Sequence, residues 1–352
     1  MNIPHNLYIH VPFCVSKCKY CAFFSRACAT PDWDKYATDI IQEIKLFGER
    51  LGNITVPTIF FGGGTPSLMP TRVFANIMDE IRKNFNVAQD TEITIEANPK
   101  TLDTKKLDEF CNLGVSRLSV GVQSLDDNKL KFLGRIHTAA DAIKLLDAAL
   151  HRNIRVSADF IYGLPGDSYK DVIKICDDIN NIGLSHCSMY ELTLEHGTPL
   201  WNMKPEMPSN EEMAEMYAAI QTHLYLPRYE VSNYARTGNE CRHNQNVWDG
   251  EPYIGIGNGA AGRIKIDDVW YEQLGGNKMF TPMSTSSRAI ERIITGLRTI
   301  RGVKLDEQIR DVINLEFAKS HPDMLQFVGD DRIAATDAGM MVLDNLISQL
   351  VK

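Results

Sequence analysis

Cys14, Cys18 and Cys21 lie together in the stretch YIHVPFCVSKCKYCAFFS, residues 8–25. Thiolates at this density bind a soft metal centre. Structural zinc normally closes four ligands, often as two separated pairs. Here the run stops at three, with Phe23 where a further cysteine could stand, and only Cys241 with His243 offers a distant second pair. An iron–sulfur cube held by three cysteines leaves one iron open to a small molecule. That reading suits the spacing better than zinc. A second chemical feature is the run Phe61-Gly62-Gly63-Gly64-Thr65-Pro66, whose glycines let the backbone approach a ligand and present N–H groups to it. Glu96 adds a carboxylate suited to an ammonium group or ribose hydroxyls.

These residues need elements to hold them. Strand-like runs occupy 7–13, 58–63, 92–99, 117–124, 155–165 and 187–194. Stretches with apolar residues three and four apart lie between them, at 33–51, 71–85, 104–114, 138–153 and 169–183. Strand–helix alternation of this kind predicts a parallel sheet with helices outside it, barrel-like or doubly wound. Ligands in such folds gather at the C-terminal ends of the strands. The cysteines, GGGTP, Glu96 with Asn98, Gln123, Asp159 and YGLPG all fall at those ends, so the pattern predicts one shared site. The tail is different: RAIERIITGLRTIRGVKL, EQIRDVINLEFAKSH and DAGMMVLDNLISQLVK read as helices, and DRIAATD as a short strand pair. It predicts a small, mostly helical second domain over 275–352, after a core over 1–270.

Bulk composition narrows the function classes. The 352 residues carry a net charge of −8, which disfavours a nucleic-acid partner. No apolar run reaches a membrane span, and the opening MNIPHNLYIHVPF lacks a signal-peptide layout, so a cytoplasmic location is expected. Eight cysteines in a reducing compartment serve metals or packing rather than disulfides.

The gaps CxxxCxxC, with Tyr20 before the last cysteine, resemble the radical S-adenosylmethionine superfamily. The stretches FGGGTPS, IEANP, LSVGVQS, LGRIH, DFIYGLPG and HNQNVWDGEPYIGIGNGAAG extend the likeness over nearly the whole chain. Together they resemble its coproporphyrinogen III oxidase-like family, and within it the heme-chaperone branch. Phe23 replaces the oxidase's extra cysteine, the cysteine strand begins at residue 7 without the oxidase's N-terminal extension, and an HNxxxW motif runs from His243 to Trp248.

The resemblance implies a partial parallel (β/α)6 TIM-like barrel of the radical SAM type, with a small, mostly α-helical, winged-helix-like C-terminal domain. It implies a [4Fe–4S] cluster on Cys14, Cys18 and Cys21, whose open iron S-adenosylmethionine chelates. One electron from the cluster then yields methionine and a 5′-deoxyadenosyl radical. Tyr8, Gly63, Gly64, Thr65 and Glu96 match positions that hold this S-adenosylmethionine, and Thr193 and Ala261 match further contacts. Tyr20, Gln123, Arg135 and Asp159 match positions for a second S-adenosylmethionine, although Arg135 and Asp159 could instead pair with each other. His243 matches a heme ligand. No catalytic side chain is assigned. The implied role is heme delivery to respiratory hemoproteins, with a reductant such as flavodoxin or ferredoxin. Transient membrane association and a homodimer are compatible with that role. The first rival role is oxygen-independent oxidative decarboxylation of coproporphyrinogen III. A radical enzyme on an unrelated substrate and a zinc-stabilised scaffold are the second and third.

Overall fold

The computed structural model describes residues 3–274 and 280–352. The predicted start of the second domain at 275 lies outside the described residues, as does the beginning of the first at residue 1. Six strands follow one another in parallel: β1 (Asn6–Val11), β2 (Thr55–Gly63), β3 (Asn86–Ala97), β4 (Arg117–Gln123), β5 (Arg155–Tyr162) and β6 (His186–Glu191). Each neighbours the next in chain order, as the alternation predicts for a parallel sheet, and the result is the partial barrel that the family resemblance implies. The sheet holds 11 strands in all. β7 (Asn233–Ala235) closes one edge antiparallel to β6. β8 (Tyr253–Ile256) lies parallel to β1 at the other side, followed by β9 (Gly262–Ile266), β10 (Val269–Gln273) and β11 (Phe280–Pro282). The sequence reading missed β8 as a strand: four residues before a glycine-rich turn carry little periodic signal.

Alternation along each strand divides the barrel into two chemically different faces. Leu7, Ile9, Ile59, Phe61, Ile93, Ile95, Leu118 and Val120 belong to the main hydrophobic core, which also takes in the inner faces of the helices. In α1 (Trp33–Leu51) that face is Tyr36, Ile40, Ile44 and Phe47, at three- and four-residue spacing, and Asp32 caps the helix by accepting from the Lys35 N–H at 2.9 Å. The helix Tyr169–Ile182 ends where predicted, on Gly183 at φ 77°. The opposite strand face is largely polar: Tyr8, His10, Thr58, Thr94, Glu96, Ser119, Ser157, Asp159 and Ser188 share it through the strand register. A polar lumen inside an apolar jacket is the fold's main service to the site.

The second hydrophobic core runs from Ala289 to Leu350. It joins the helix Thr285–Gly296 to short helices and a three-stranded antiparallel sheet of Val303–Lys304, Arg332–Ala335 and Leu325–Val328. The long helix expected over 288–305 stops at Gly296 instead. The Val303 side chain occupies the space against Gly296, and Gly302 turns the chain at φ 65°. Backbone bonds from Val231 N–H to the Arg298 carbonyl (2.8 Å) and from Ile300 N–H to the Tyr229 carbonyl (3.3 Å) fasten this unit to the barrel.

Candidate functional site

The cysteine loop leaves β1 and folds back on itself through a two-residue parallel bridge, Phe13–Cys14 beside Arg26–Ala27. Backbone bonds fix it on every side. The Lys19 N–H donates to the Leu133 carbonyl (3.0 Å), Leu200 N–H to the Lys19 carbonyl (2.9 Å), and Cys28 N–H to the Cys14 carbonyl (2.9 Å). Cys14 is buried, while Cys18 and Cys21 are half-buried. Burial pushes the Cys21 thiol up, and the neighbouring Cys18 and Cys14 push in the same direction. Like charges this close invite a metal centre that neutralises all three. Among the described residues, no three His, Cys, Asp or Glu side chains converge as a single-ion site. As they stand, the cysteines offer one zinc ion no closed cage.

The glycine run sits directly beside this loop at the end of β2. Gly64 donates its N–H to the Val11 carbonyl (2.7 Å) and Thr65 to the Phe13 carbonyl (2.8 Å). A Cβ on Gly64 would lie 2.7 Å from the Phe13 carbonyl oxygen and 3.0 Å from the Cys14 sulfur. Gly63 adopts φ 110°, and a Cβ there would stand 2.5 Å from the His10 ring. Both positions therefore demand glycine. This cradle of bare backbone next to soft sulfur donors fits an iron–sulfur cluster with a small polar ligand against it.

Glu96 ends the next strand and accepts from the Gly63 N–H at 3.0 Å. Burial raises its pKa to about 8, the charge of Asp159 pushes the same way, and the Gly63 bond works against both. Between pH 4.5 and 8 the folded state thus holds a proton that the unfolded chain releases. Stability contributed here falls as pH rises through that window. Glu96→Gln is expected to flatten this slope, raising the melting temperature by a few degrees at pH 9 and leaving it little changed at pH 5; thermal scans across pH check this.

The other predicted positions also reach the strand C-terminal rim. Gln123 sits on a register shift in β4 with φ 66°, a left-handed conformation uncommon outside glycine. Arg135 donates to Cys18 Sγ (3.4 Å), to the Gly121 carbonyl (2.6 Å) and to Asn98 Oδ1. Asp159 instead accepts from Ser119 (3.0 Å) and Ser188 (2.7 Å). The direct pairing of Arg135 with Asp159 is thus not what forms: Arg135 turns outward to the cysteine loop, and hydroxyls satisfy Asp159. Burial raises the Asp159 and Tyr20 pKa values. Thr193 and Ala261 lie exposed in the loops after β6 and β8. Because N–H donors to cluster sulfurs raise reduction potentials, Arg135→Gln is expected to shift the reconstituted cluster's midpoint to more negative values. A redox titration followed by electron paramagnetic resonance reads that shift.

His243 is the one predicted site residue that the structure does not bring to this rim. It lies on the short helix Arg242–Trp248. Its Nδ1 is 2.7 Å from Thr58 Oγ1, its backbone N–H donates to Glu92 at 3.1 Å, and its ring packs 5.0 Å from Phe60. Thr58 precedes Gly63 by five residues on β2, so its backbone lies about 17 Å along the strand from the glycine end at ~3.3 Å per residue, with Phe60 between the His243 ring and that end. Asn246 donates to Asn6 (2.8 Å), and the Trp248 side chain bonds Glu230. The motif therefore plugs the lower end of the barrel. Burial pushes the His243 imidazole down to about 3. The unfolded chain takes up this proton below pH 6.5 and the folded one does not, so stability is lost as pH falls from 6.5 toward 3. His243→Ala is expected to cost about 2–4 kcal/mol through the cavity and the loss of the imidazole's bond to Thr58 Oγ1, which is left with its bond to Asn6 (2.8 Å), and to weaken this acid sensitivity. Urea melts at pH 5 and pH 8 measure both.

Sequence reasoning passed over His10, which lies under Gly63. Its Nδ1 is 3.1 Å from Tyr8 OH and its Nε2 2.7 Å from the Phe24 carbonyl oxygen. The two-residue step from Tyr8 was the available signal, since both side chains face the lumen. Phe60, which stacks between Tyr8 and His243, was missed for the same reason.

A parallel half-barrel with three closely spaced cysteines beside a glycine-rich strand end defines a radical S-adenosylmethionine protein. The Radical SAM superfamily pattern matches residues 8–179. Coproporphyrinogen III oxidase (HemN) from Escherichia coli, itself described as a radical SAM enzyme, superposes with a TM-score of 0.82 at 20% identity, covering 99% of this chain and 90% of that one. This establishes the HemN-like fold. Sequence relatives then resolve the branch. Heme chaperone HemW of Buchnera aphidicola subsp. Schizaphis graminum is 36% identical over 269 residues, spanning 74% of this chain and 70% of the relative. HemW of E. coli is 35% identical over 270 residues, 75% and 71% respectively. A mitochondrial radical S-adenosyl methionine domain-containing protein 1 from Bos taurus is 33% identical over 332 residues, 84% and 74%. The chain belongs to the HemW family of radical SAM proteins, a family that implies a [4Fe–4S] cluster and S-adenosylmethionine.

Proposed function

We propose that this protein is a heme chaperone that carries a [4Fe–4S] cluster and S-adenosylmethionine at the barrel mouth and passes heme to respiratory hemoproteins. The observation that carries this reading is 36% identity to a protein named a heme chaperone, over 70% of that protein's length. Phe23, in place of the oxidase's further cysteine, supports the same branch.

In this reading Cys14, Cys18 and Cys21 ligate the cluster, which when bound supplies an electron to the sulfonium. Gly63 and Gly64 bring bare backbone against the ligand's methionine end, with Tyr8 and Thr65 beside them. Glu96 accepts a hydrogen bond from an ammonium or ribose hydroxyl, and Thr193 and Ala261 border the mouth. Tyr20, Gln123, Arg135 and Asp159 shape the adjoining space, where a second S-adenosylmethionine would lie. A one-electron donor such as flavodoxin or ferredoxin would serve as the reductant for a cluster held there. Among the described residues no helix is long and apolar enough to cross a membrane; the proposed workplace is the cytoplasm, with transient membrane contact during handover.

An anaerobic assay with reduced protein, S-adenosylmethionine and coproporphyrinogen III tests the assignment. The expected result is no protoporphyrinogen IX. Turnover to that product would replace the chaperone reading with the oxidase.

A further inference from the structure

We propose that heme seats on the open face of the cysteine loop, with its macrocycle against Val15, Phe23, Phe24 and Ile136 and its propionates toward Lys17 and Arg26. The inference rests on the heme-handling reading above and names the surface that reading requires.

Three large apolar side chains on the cysteine loop are exposed, Val15 at 50%, Phe23 at 66% and Phe24 at 55%, as is Ile136 at 40% after Arg135. Apolar groups gathered at one place on a surface mark a binding site. The first three share one loop of ten residues, and Ile136 borders it. Val15 and Ile136 line a common cleft with Cys18 and Arg135. Lys17 Nζ donates to the Phe23 carbonyl at 3.2 Å and to the Ser25 carbonyl at 3.1 Å, which holds an ammonium group against the backbone of the Phe23–Ser25 segment. Phe24 is anchored through its carbonyl to His10 Nε2 at 2.7 Å, so its backbone is held before any ligand arrives.

Charge identifies the occupant. The chain as a whole carries −8, yet residues 14–31 contain Lys17, Lys19 and Arg26 and no Asp or Glu. A local excess of cations on an acidic protein favours an anionic partner. The patch therefore asks for a broad apolar plane that carries carboxylates at its edge, which describes heme. A second copy docked face to face would oppose two cationic loops and is disfavoured by the same charges. A seat at His243 is closed. That ring is 5% exposed, covered by Phe60 and Thr58, on a helix pinned through Asn246 and Trp248. A planar tetrapyrrole reaches it only if the helix leaves the barrel.

Hemin titration into the anaerobically reconstituted protein, followed by Soret absorbance, tests the seat. Phe23→Asp and Arg26→Glu are each expected to raise the Kd about tenfold or more, and the dimethyl ester of heme to bind the wild type about tenfold more weakly than hemin itself. His243→Asn is expected to keep the wild-type Kd. Iron content and circular dichroism confirm that each variant retains cluster and fold; two independent loop variants guard against one that misfolds. Wild-type affinity in both loop variants, or loss of heme in His243→Asn alone, would overturn this seat and leave the chaperone reading intact. Failure of the wild type to bind hemin would overturn both.

Discussion

Replacing Cys14, Cys18 and Cys21 together by alanine is expected to give a folded chain that takes up no iron or sulfide on anaerobic reconstitution. The loop's shape does not depend on its thiols. It is held by the Phe13–Cys14/Arg26–Ala27 bridge and by backbone bonds to Leu133 and Leu200, none of which uses a sulfur atom. Cys18 and Cys21 stand outside the main core, and the exchange of a half-buried thiol for a methyl group removes little packing. The wild type should show the brown absorbance of a [4Fe–4S] cluster, with both iron and sulfide bound. The triple variant should be colourless with an unchanged circular dichroism spectrum. Iron retained at the wild-type level would remove these residues as the cluster ligands.

The second large effect is expected at Gly63. Alanine there must hold φ near 110°, which costs about 1–3 kcal/mol in a residue with a side chain. It also drives its Cβ to 2.5 Å from the His10 ring. That ring cannot retreat cheaply, because Tyr8 OH and the Phe24 carbonyl hold its two nitrogens. The strand end must move instead, and the Gly63 N–H then loses its aim at Glu96. Affinity for S-adenosylmethionine, measured by calorimetry on the reconstituted protein, is expected to fall at least tenfold, about 1.4 kcal/mol. Gly166→Ala separates the two causes, since Gly166 has φ 83° and open space where its Cβ would lie. It should cost stability of the same order and leave the ligand affinity alone. An unchanged affinity in Gly63→Ala would remove the glycine run from the ligand site.

The mouth of the barrel was largely legible in the sequence because its chemistry is local. Cys14 to Cys21 and Gly62 to Gly64 are contiguous, and both sit where a strand ends. The lumen was not legible, because Ser119, Ser188 and Asp159 meet only once three strands align. Asp159 stood out in the sequence as a strand-end carboxylate, but Ser119 and Ser188 read as ordinary polar positions within strands. The same holds for the HNxxxW stretch. His243 suggests a ligand when read as a motif, yet its partners Thr58, Glu92 and Phe60 lie far upstream in the chain, and only the fold reveals that they enclose it. In the tail, the helical pattern carried past Gly296 because Leu297, Ile300 and Val303 are apolar at a spacing a helix would also accept, whereas Val303 faces Ile333 in the folded chain. Their pairing across a small sheet decided otherwise.

Heme handover tests the chaperone assignment most directly. Reconstituted protein loaded with one heme and freed of excess by gel filtration is mixed with an apo-form of a respiratory cytochrome, and the Soret band is followed in the separated proteins. The account predicts that the heme moves to the cytochrome and restores its native spectrum, with the donor's iron–sulfur absorbance unchanged. Heme that stays on the donor, or a donor that never retains heme through the filtration, would contradict it.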